Sequence, residues 1–207
     1  AVREAQDAGK PKNHHRSAMW SELAGPFGLF LLTWFLACFA LQSILNTQPL
    51  IMNAAFGVAH STTSTFYMVG SFIGMVCYPV AGFLAKRIGS GYTLGIGMLV
   101  IVVAYLLIMA VGYFHLPGAH FWGPLGSTLI GVSYPFLYIG GALTAARLNR
   151  DTEGGAMGLF YSSMCVAATI ACFVPSFLAQ AAGYLTLVPL AGGVMVIALL
   201  IGIPVIW

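Results

Sequence analysis

Charge is what this sequence has least of. Of its 207 residues only thirteen are charged, eight Lys and Arg against five Asp and Glu, or 6% of the chain. A soluble domain carries about 25%. Thirteen charges cannot clothe a globule of this size in water, which excludes a soluble enzyme. An apolar share of 59% excludes a disordered chain. Cysteine is sparse as well. Cys38, Cys77, Cys165 and Cys172 all fall inside apolar runs, where they read as small packing residues and not as a disulfide framework or metal ligands. A phosphate-cradling glycine loop, a Gly-x-Ser-x-Gly elbow and a His-Glu-x-x-His pair are lacking, so no cofactor is expected and the chain does not read as an enzyme. The net charge of +3 is spread over loops and forms no patch for nucleic acid. His14-His15 lack further ligands, and His60, His115 and His120 stand in separate loop positions, so no metal site is expected.

Long apolar runs fill the space that charge leaves. Crossing about 30 Å of hydrocarbon takes about 20 mostly apolar residues in a helix. Six windows qualify: Pro26–Leu45, Phe66–Ala85, Tyr92–Val111, Pro124–Ala145, Ala156–Leu178 and Leu185–Trp207. Alternating strand patterns of the kind a barrel needs are absent, so the expected fold is all-α and transmembrane. Residues 1–24 are polar and basic and read as a cytoplasmic linker or tail; residues 25–207 form the six-helix domain.

The cations check that count. Arg3, Lys10, Lys12 and Arg16 precede span one, Lys86 and Arg87 follow span two, and Arg147 and Arg150 follow span four. The loops 52–65, 112–123 and 179–184 contain no Lys or Arg. Six crossings put all eight cations on one side, which the positive-inside rule makes cytoplasmic, together with both termini. A wrong count would scatter them. Trp20, Trp122, Tyr113 and Tyr184 stand near the interfaces as aromatic anchors.

Polarity is graded among the spans. Over Leu94–Val111 and Leu187–Trp207, spans three and six contain no Ser, Thr, Asn or Gln. Span one carries Gln42, Ser43, Asn46, Thr47 and Gln48; span four carries Ser127, Thr128, Ser133, Tyr134 and Tyr138; span five carries Tyr161, Ser162, Ser163 and Thr169. An unpaired polar group is costly in lipid. Spans one, four and five are therefore expected to face an interior or a wet cavity, and spans three and six to face lipid. Gln42 and Asn46 share a helical face at i, i+4, with Phe35 and Phe39 on the same stripe. Tyr134 and Tyr138 repeat the spacing on span four. The other use of such residues is to bond neighbouring helices together. Pro79, Pro135, Pro175, Pro189 and Pro204 are expected to kink or weaken their spans.

The segment Gly82-Phe83-Leu84-Ala85-Lys86-Arg87-Ile88-Gly89 resembles the signature loop of the major facilitator superfamily, between the second and third helices of a half. Gly82, Leu84, Arg87 and Gly89 match that pattern, while Lys86 stands where the family has Asp and Ser90-Gly91 replace two basic residues. The run from Arg147 to Phe160 resembles the family's loop before the fifth helix. Asp151, Thr152 and Glu153 place oxygens at that helix's start, and Gly154 and Gly158 at i, i+4 permit close helix approach. Span centres near 36, 74 and 102 recur near 135, 167 and 196, the spacing of two three-helix repeats.

The resemblance implies a six-helix bundle that is one half, the C-terminal one, of a secondary transporter working by alternating access. It implies the first and fourth helices as cavity walls, which makes Phe35, Phe39, Gln42, Asn46, Tyr134, Tyr138 and Ser162 the candidate lining. The implied partners are the lipid bilayer, a missing N-terminal six-helix half or second subunit, and a small organic solute, in a plasma or inner membrane. The alternative is a non-transporting scaffold or assembly subunit. No Asp, Glu, Lys, Arg or His falls within any of the six windows. Replacing all five acidic residues (Glu4, Asp7, Glu22, Asp151 and Glu153) is therefore expected to leave any proton dependence of uptake intact. Loss of that dependence on changing one of them contradicts the expectation.

Overall fold

Hydrocarbon offers no partner for a backbone N–H or C=O, so a chain this apolar must close its hydrogen bonds within each segment. The computed structural model describes residues 25–114, 118–149 and 153–206, and there it is helical almost throughout, without strands. Six helices follow in order: α1 Pro26–Phe56, α2 His60–Ile88, α3 Ser90–Phe114, α4 Ala119–Leu148, α5 Glu153–Ala182 and α6 Leu187–Ile206, with a 3-10 turn over Tyr184–Thr186 before the last. All six are long and apolar enough to cross a membrane. This is the architecture of an integral, multi-pass membrane protein. The tail over 1–24, with Trp20, and His115, Arg150, Asp151 and Thr152 lie outside the described residues.

The helices outrun the apolar windows. At about 1.5 Å per residue α1 is about 46 Å long, and the expected outer loop over 52–65 contracts to residues 57–59. Hydropathy marks the depth of hydrocarbon, whereas a helix can continue into the headgroups. The polar residues there bond their own helix: Thr47 donates to the Ser43 carbonyl at 2.7 Å and Thr65 to the Ser61 carbonyl at 3.0 Å. Nor do prolines end the segments. α1, α2, α4, α5 and α6 run on through Pro49, Pro79, Pro124, Pro135, Pro175 and Pro204.

Packing divides the bundle unequally. α4 lies against α3 and α2, α1 lies against α5 and α6, and α3 meets α6 between them. Trp34 anchors the α1–α5 contact: it is fully buried, stacks on Phe160 at 4.4 Å and donates its indole N–H to the Phe160 carbonyl at 3.3 Å. Tyr105 ties α3 to α1 by donating to the Ala40 carbonyl at 3.0 Å. Thr144 ties α4 to the start of α3 through the Ser90 hydroxyl at 3.1 Å.

Two expectations about facing can be set against this packing. α5 turns much of its polar surface out of this bundle, since Tyr161, Ser162, Cys165, Thr169 and Cys172 are all exposed. Cys165 and Cys172 are therefore not packed inside this bundle. α3, expected against lipid, is buried along Leu94, Met98, Ile101, Tyr105 and Ile108, while the stripe of Leu99, Val103 and Leu106 points outward, with Tyr92, Tyr113 and Phe114 exposed near its ends. The reason is physical. Leucine and isoleucine pack as readily on a neighbouring helix as on an acyl chain, so a helix without polar groups has no obligatory lipid face.

Glycine sets how closely the α3–α4–α2 layer packs. A Cβ on Gly97 would stand 2.6 Å from the Leu137 backbone nitrogen, and one on Gly74 would stand 2.7 Å from the Gly131 carbonyl oxygen. Gly154 and Gly158 do not serve this role, because a Cβ on either would meet nothing within 4 Å.

A glycine in an unusual backbone conformation starts the turn in two of the helix connections. Gly89, in the signature-like loop, has φ +104° and ψ 153°, and its N–H closes on the Ala85 carbonyl at 3.1 Å. Gly183, between α5 and the 3-10 turn, has φ +87° and ψ 156° and closes on the Ala179 carbonyl at 2.8 Å. Both occupy a region that side chains other than hydrogen avoid. Lys86 and Arg87 stand exposed in the last turn of α2, where cations favour a helix C-terminus, and Gly82 faces open space.

Gly97→Val is expected to destabilise the bundle by about 1–3 kcal/mol through overpacking against Leu137, whereas Gly82→Ala changes stability by no more than about 0.5 kcal/mol. Thermal unfolding in detergent checks this, and equal effects would contradict the packing described.

Candidate functional site

The middle of three helices builds the site. α1, α2 and α4 centre near residues 41, 74 and 133, and a groove of about 420 Å³ opens between them at that height. Gln42 and Asn46 supply its α1 wall; Tyr67, Ser71, Gly74 and Tyr78 its α2 wall; Gly131 and Tyr134 its α4 wall. Gly74 against Gly131 brings α2 and α4 close enough to form the floor. Thr128 adds a bridge by donating to the Phe66 carbonyl at 3.4 Å.

The lining is uncharged. Two amides and four hydroxyls line the groove, with no charged side chain among them. Asn46 donates to the Cys172 sulfur at 3.4 Å, so the α1 wall also touches α5. The described cations, Lys86, Arg87 and Arg147, stand in the last turns of α2 and α4, at one end of the bundle and away from the groove. His60 and His120 begin α2 and α4 at the other end.

Three of the seven candidates, Gln42, Asn46 and Tyr134, line this groove. Tyr138 lies one turn along from Tyr134 and stacks on it at 5.9 Å, continuing to Tyr161 of α5 at 6.2 Å and to Phe160 at 6.1 Å. Phe35 and Phe39 are half-buried against the core. Ser162 is exposed on α5 and takes no part in the groove.

No family model matches the chain, and no curated protein matches it.

Sequence reasoning misses the α2 wall. Tyr67, Ser71, Gly74 and Tyr78 recur at i, i+4, i+7 and i+11, a small-and-polar stripe on one helical face. Counting polar residues per span hides it, because span two spreads few of them over many apolar neighbours. Hydroxyl-bearing tyrosines at helical spacing are the signal that would have found it.

A second, smaller hollow of about 190 Å³ adjoins the first, sharing Leu45 and Tyr67 with it and adding Gln48, Pro49, Thr63 and Ser64. Gln48 is only 2% exposed, and neither its carbonyl oxygen nor its amide nitrogen has a hydrogen-bond partner among the described residues. Leaving a buried polar group unmatched costs about 1–3 kcal/mol.

Proposed function

We propose that this chain is one half of a secondary transporter of the major facilitator kind, moving a small uncharged organic solute by alternating access around the α1–α2–α4 groove. The groove carries the reading. It lies at mid-height of helices long enough to span a membrane, and its walls hold neutral donors and acceptors beside tyrosine rings. Binding sites of rocking transporters lie near the bilayer midplane, between repeats.

The packing supports two three-helix repeats. The first helix of each triplet, α1 or α4, packs on the second and third helices of the other. The turns at Gly89 and Gly183 share one backbone conformation 94 residues apart, the same offset as the helix centres. On this reading α2 and α5 flank the face that receives a second six-helix half, from the same protein or another subunit. Phe72 and Met75 of α2 and Phe173 and Phe177 of α5 are more than 60% exposed on these flanks. The end bearing Lys86, Arg87 and Arg147 is cytoplasmic by the positive-inside rule. No residue lining the groove carries a charge, so proton coupling would fall to the other half.

Labelling from both sides of the membrane tests this. Single cysteines replace Gln42, Asn46 and Tyr134 in the full-length protein freed of its native cysteines, and a membrane-impermeant thiol reagent is applied to right-side-out and inside-out vesicles. All three positions are expected to react from either side, while Val103→Cys and Leu106→Cys on α3 react from neither. Groove positions that react from neither side would make the bundle a scaffold.

A further inference from the structure

A ladder of aromatic rings ends at the wall of the groove. On α4, Tyr134 and Tyr138 stack at 5.9 Å with their ring planes 15° apart, and Tyr138 carries the contact on to Phe160 and Tyr161 of α5. Tyr134 lines the groove and has no other ring neighbour among the described residues. On α2, Tyr78 also lines the groove, 36% exposed and without a ring contact among the described residues. Gly70 meets Thr128 and Gly74 meets Gly131, so α2 and α4 run side by side in the same direction. Tyr78 comes one turn after Gly74 and Tyr134 about one turn after Gly131, which sets the two tyrosines at one height. Aromatic rings have a negative face and a positive edge, and they favour another ring, offset or edge-on, beyond the area it buries. Two rings at one height, one of them the end of a stack, leave a place for a third.

A polar partner stands at the same level. α1 runs against α4 in the opposite direction, with Phe56 beside Gly123 and Trp34 beside Gly141, which brings Gln42 to the height of Tyr134. Gln42 lines the groove, is half-buried and makes no side-chain hydrogen bond among the described residues. Its amide, unlike that of Gln48, is not sealed from the groove. Resting on the transport reading, we propose that the solute is a neutral planar aromatic molecule. Its ring enters between Tyr78 and Tyr134 and extends the Tyr134–Tyr138 stack, while a carboxamide-like group on its edge bonds Gln42. A saturated ring of the same skeleton buries similar area but lacks the π face that the end of a stack selects. At about 420 Å³ the groove is within the range of small-molecule sites.

The test uses the full-length protein in proteoliposomes, freed of its native cysteines and carrying Ser71→Cys on the α2 wall of the groove. A membrane-impermeant methanethiosulfonate labels this thiol, and the competing probes are naphthalene-2-carboxamide and its fully saturated decalin counterpart. The two share one skeleton and one amide. The saturated probe is the more apolar, so simple partition into lipid would favour it. Naphthalene-2-carboxamide is expected to half-protect the thiol at a concentration about three- to tenfold lower. Tyr134→Phe keeps the ring and should retain that preference; Tyr134→Leu should remove it. Should the Leu variant fail to fold, Tyr78→Leu at its exposed position carries the same expectation. Equal protection by the two probes, or protection by neither, overturns the aromatic assignment. So does a preference that survives Tyr134→Leu or is lost in Tyr134→Phe. The side from which the position-71 thiol reacts judges the transport reading separately. Labelling from both sides with equal protection removes the aromatic assignment alone, whereas labelling from one side or neither contradicts the transport reading itself.

Discussion

The cost of an unpaired polar group in hydrocarbon governs this protein at every level. It closes the backbone into six helices, because nothing outside a segment can satisfy its amides. It sends the few charges to the helix ends, so that Lys86, Arg87 and Arg147 share one end of the bundle. Hydroxyls inside bond carbonyls of their own helix, as Thr33, Ser43 and Thr47 do four residues back. Amides are harder to hide, because they need both a donor and an acceptor. Asn46 finds a weak partner in Cys172, whereas Gln48 has none among the described residues. Gln48 sits beside the groove, at the smaller hollow, and Ser127, likewise unmatched among the described residues, lines neither space.

Close packing decides where that groove can open. Glycine contacts draw α2, α4 and α3 into one tight layer, while the Trp34–Phe160 stack holds α5 against α1. The two contact sets leave α1 and α4 side by side at the centre, with α2 and α5 as flanks. A concave face with neutral polar residues in its middle and apolar residues on its flanks follows from this division. The opposite side, formed by α3 and α6, offers Leu99, Val103, Leu200 and Ile203, which suit acyl chains.

Much of this is legible in the sequence, for physical reasons. The number of helices could be read because hydropathy and the parity of the cations are independent signals that agree. Gln42 and Asn46 could be placed together because i, i+4 spacing on a helix leaves little choice of face. The outward face of α5 could not be read, because polar residues announce that a helix avoids lipid without saying which neighbour covers it. Nor could the burial of α3, since its leucines and isoleucines fit a helix or a lipid equally well. Glycine pairs are ambiguous in the same way: Gly70 and Gly74 make contact, while Gly154 and Gly158, with the same spacing, do not. Spacing permits an approach, and only the fold decides whether one occurs.

The account stands on one claim: the α1–α4 face is wetted, and the α3–α6 face is bathed in lipid. Spin labels at positions 42 and 46, compared with 103 and 200, measure it directly through collision with a water-soluble nickel complex and with oxygen dissolved in the bilayer. Positions 42 and 46 should favour nickel, and 103 and 200 should favour oxygen. Oxygen preference at 42 and 46 would place the amides of α1 among acyl chains and contradict the account at its base.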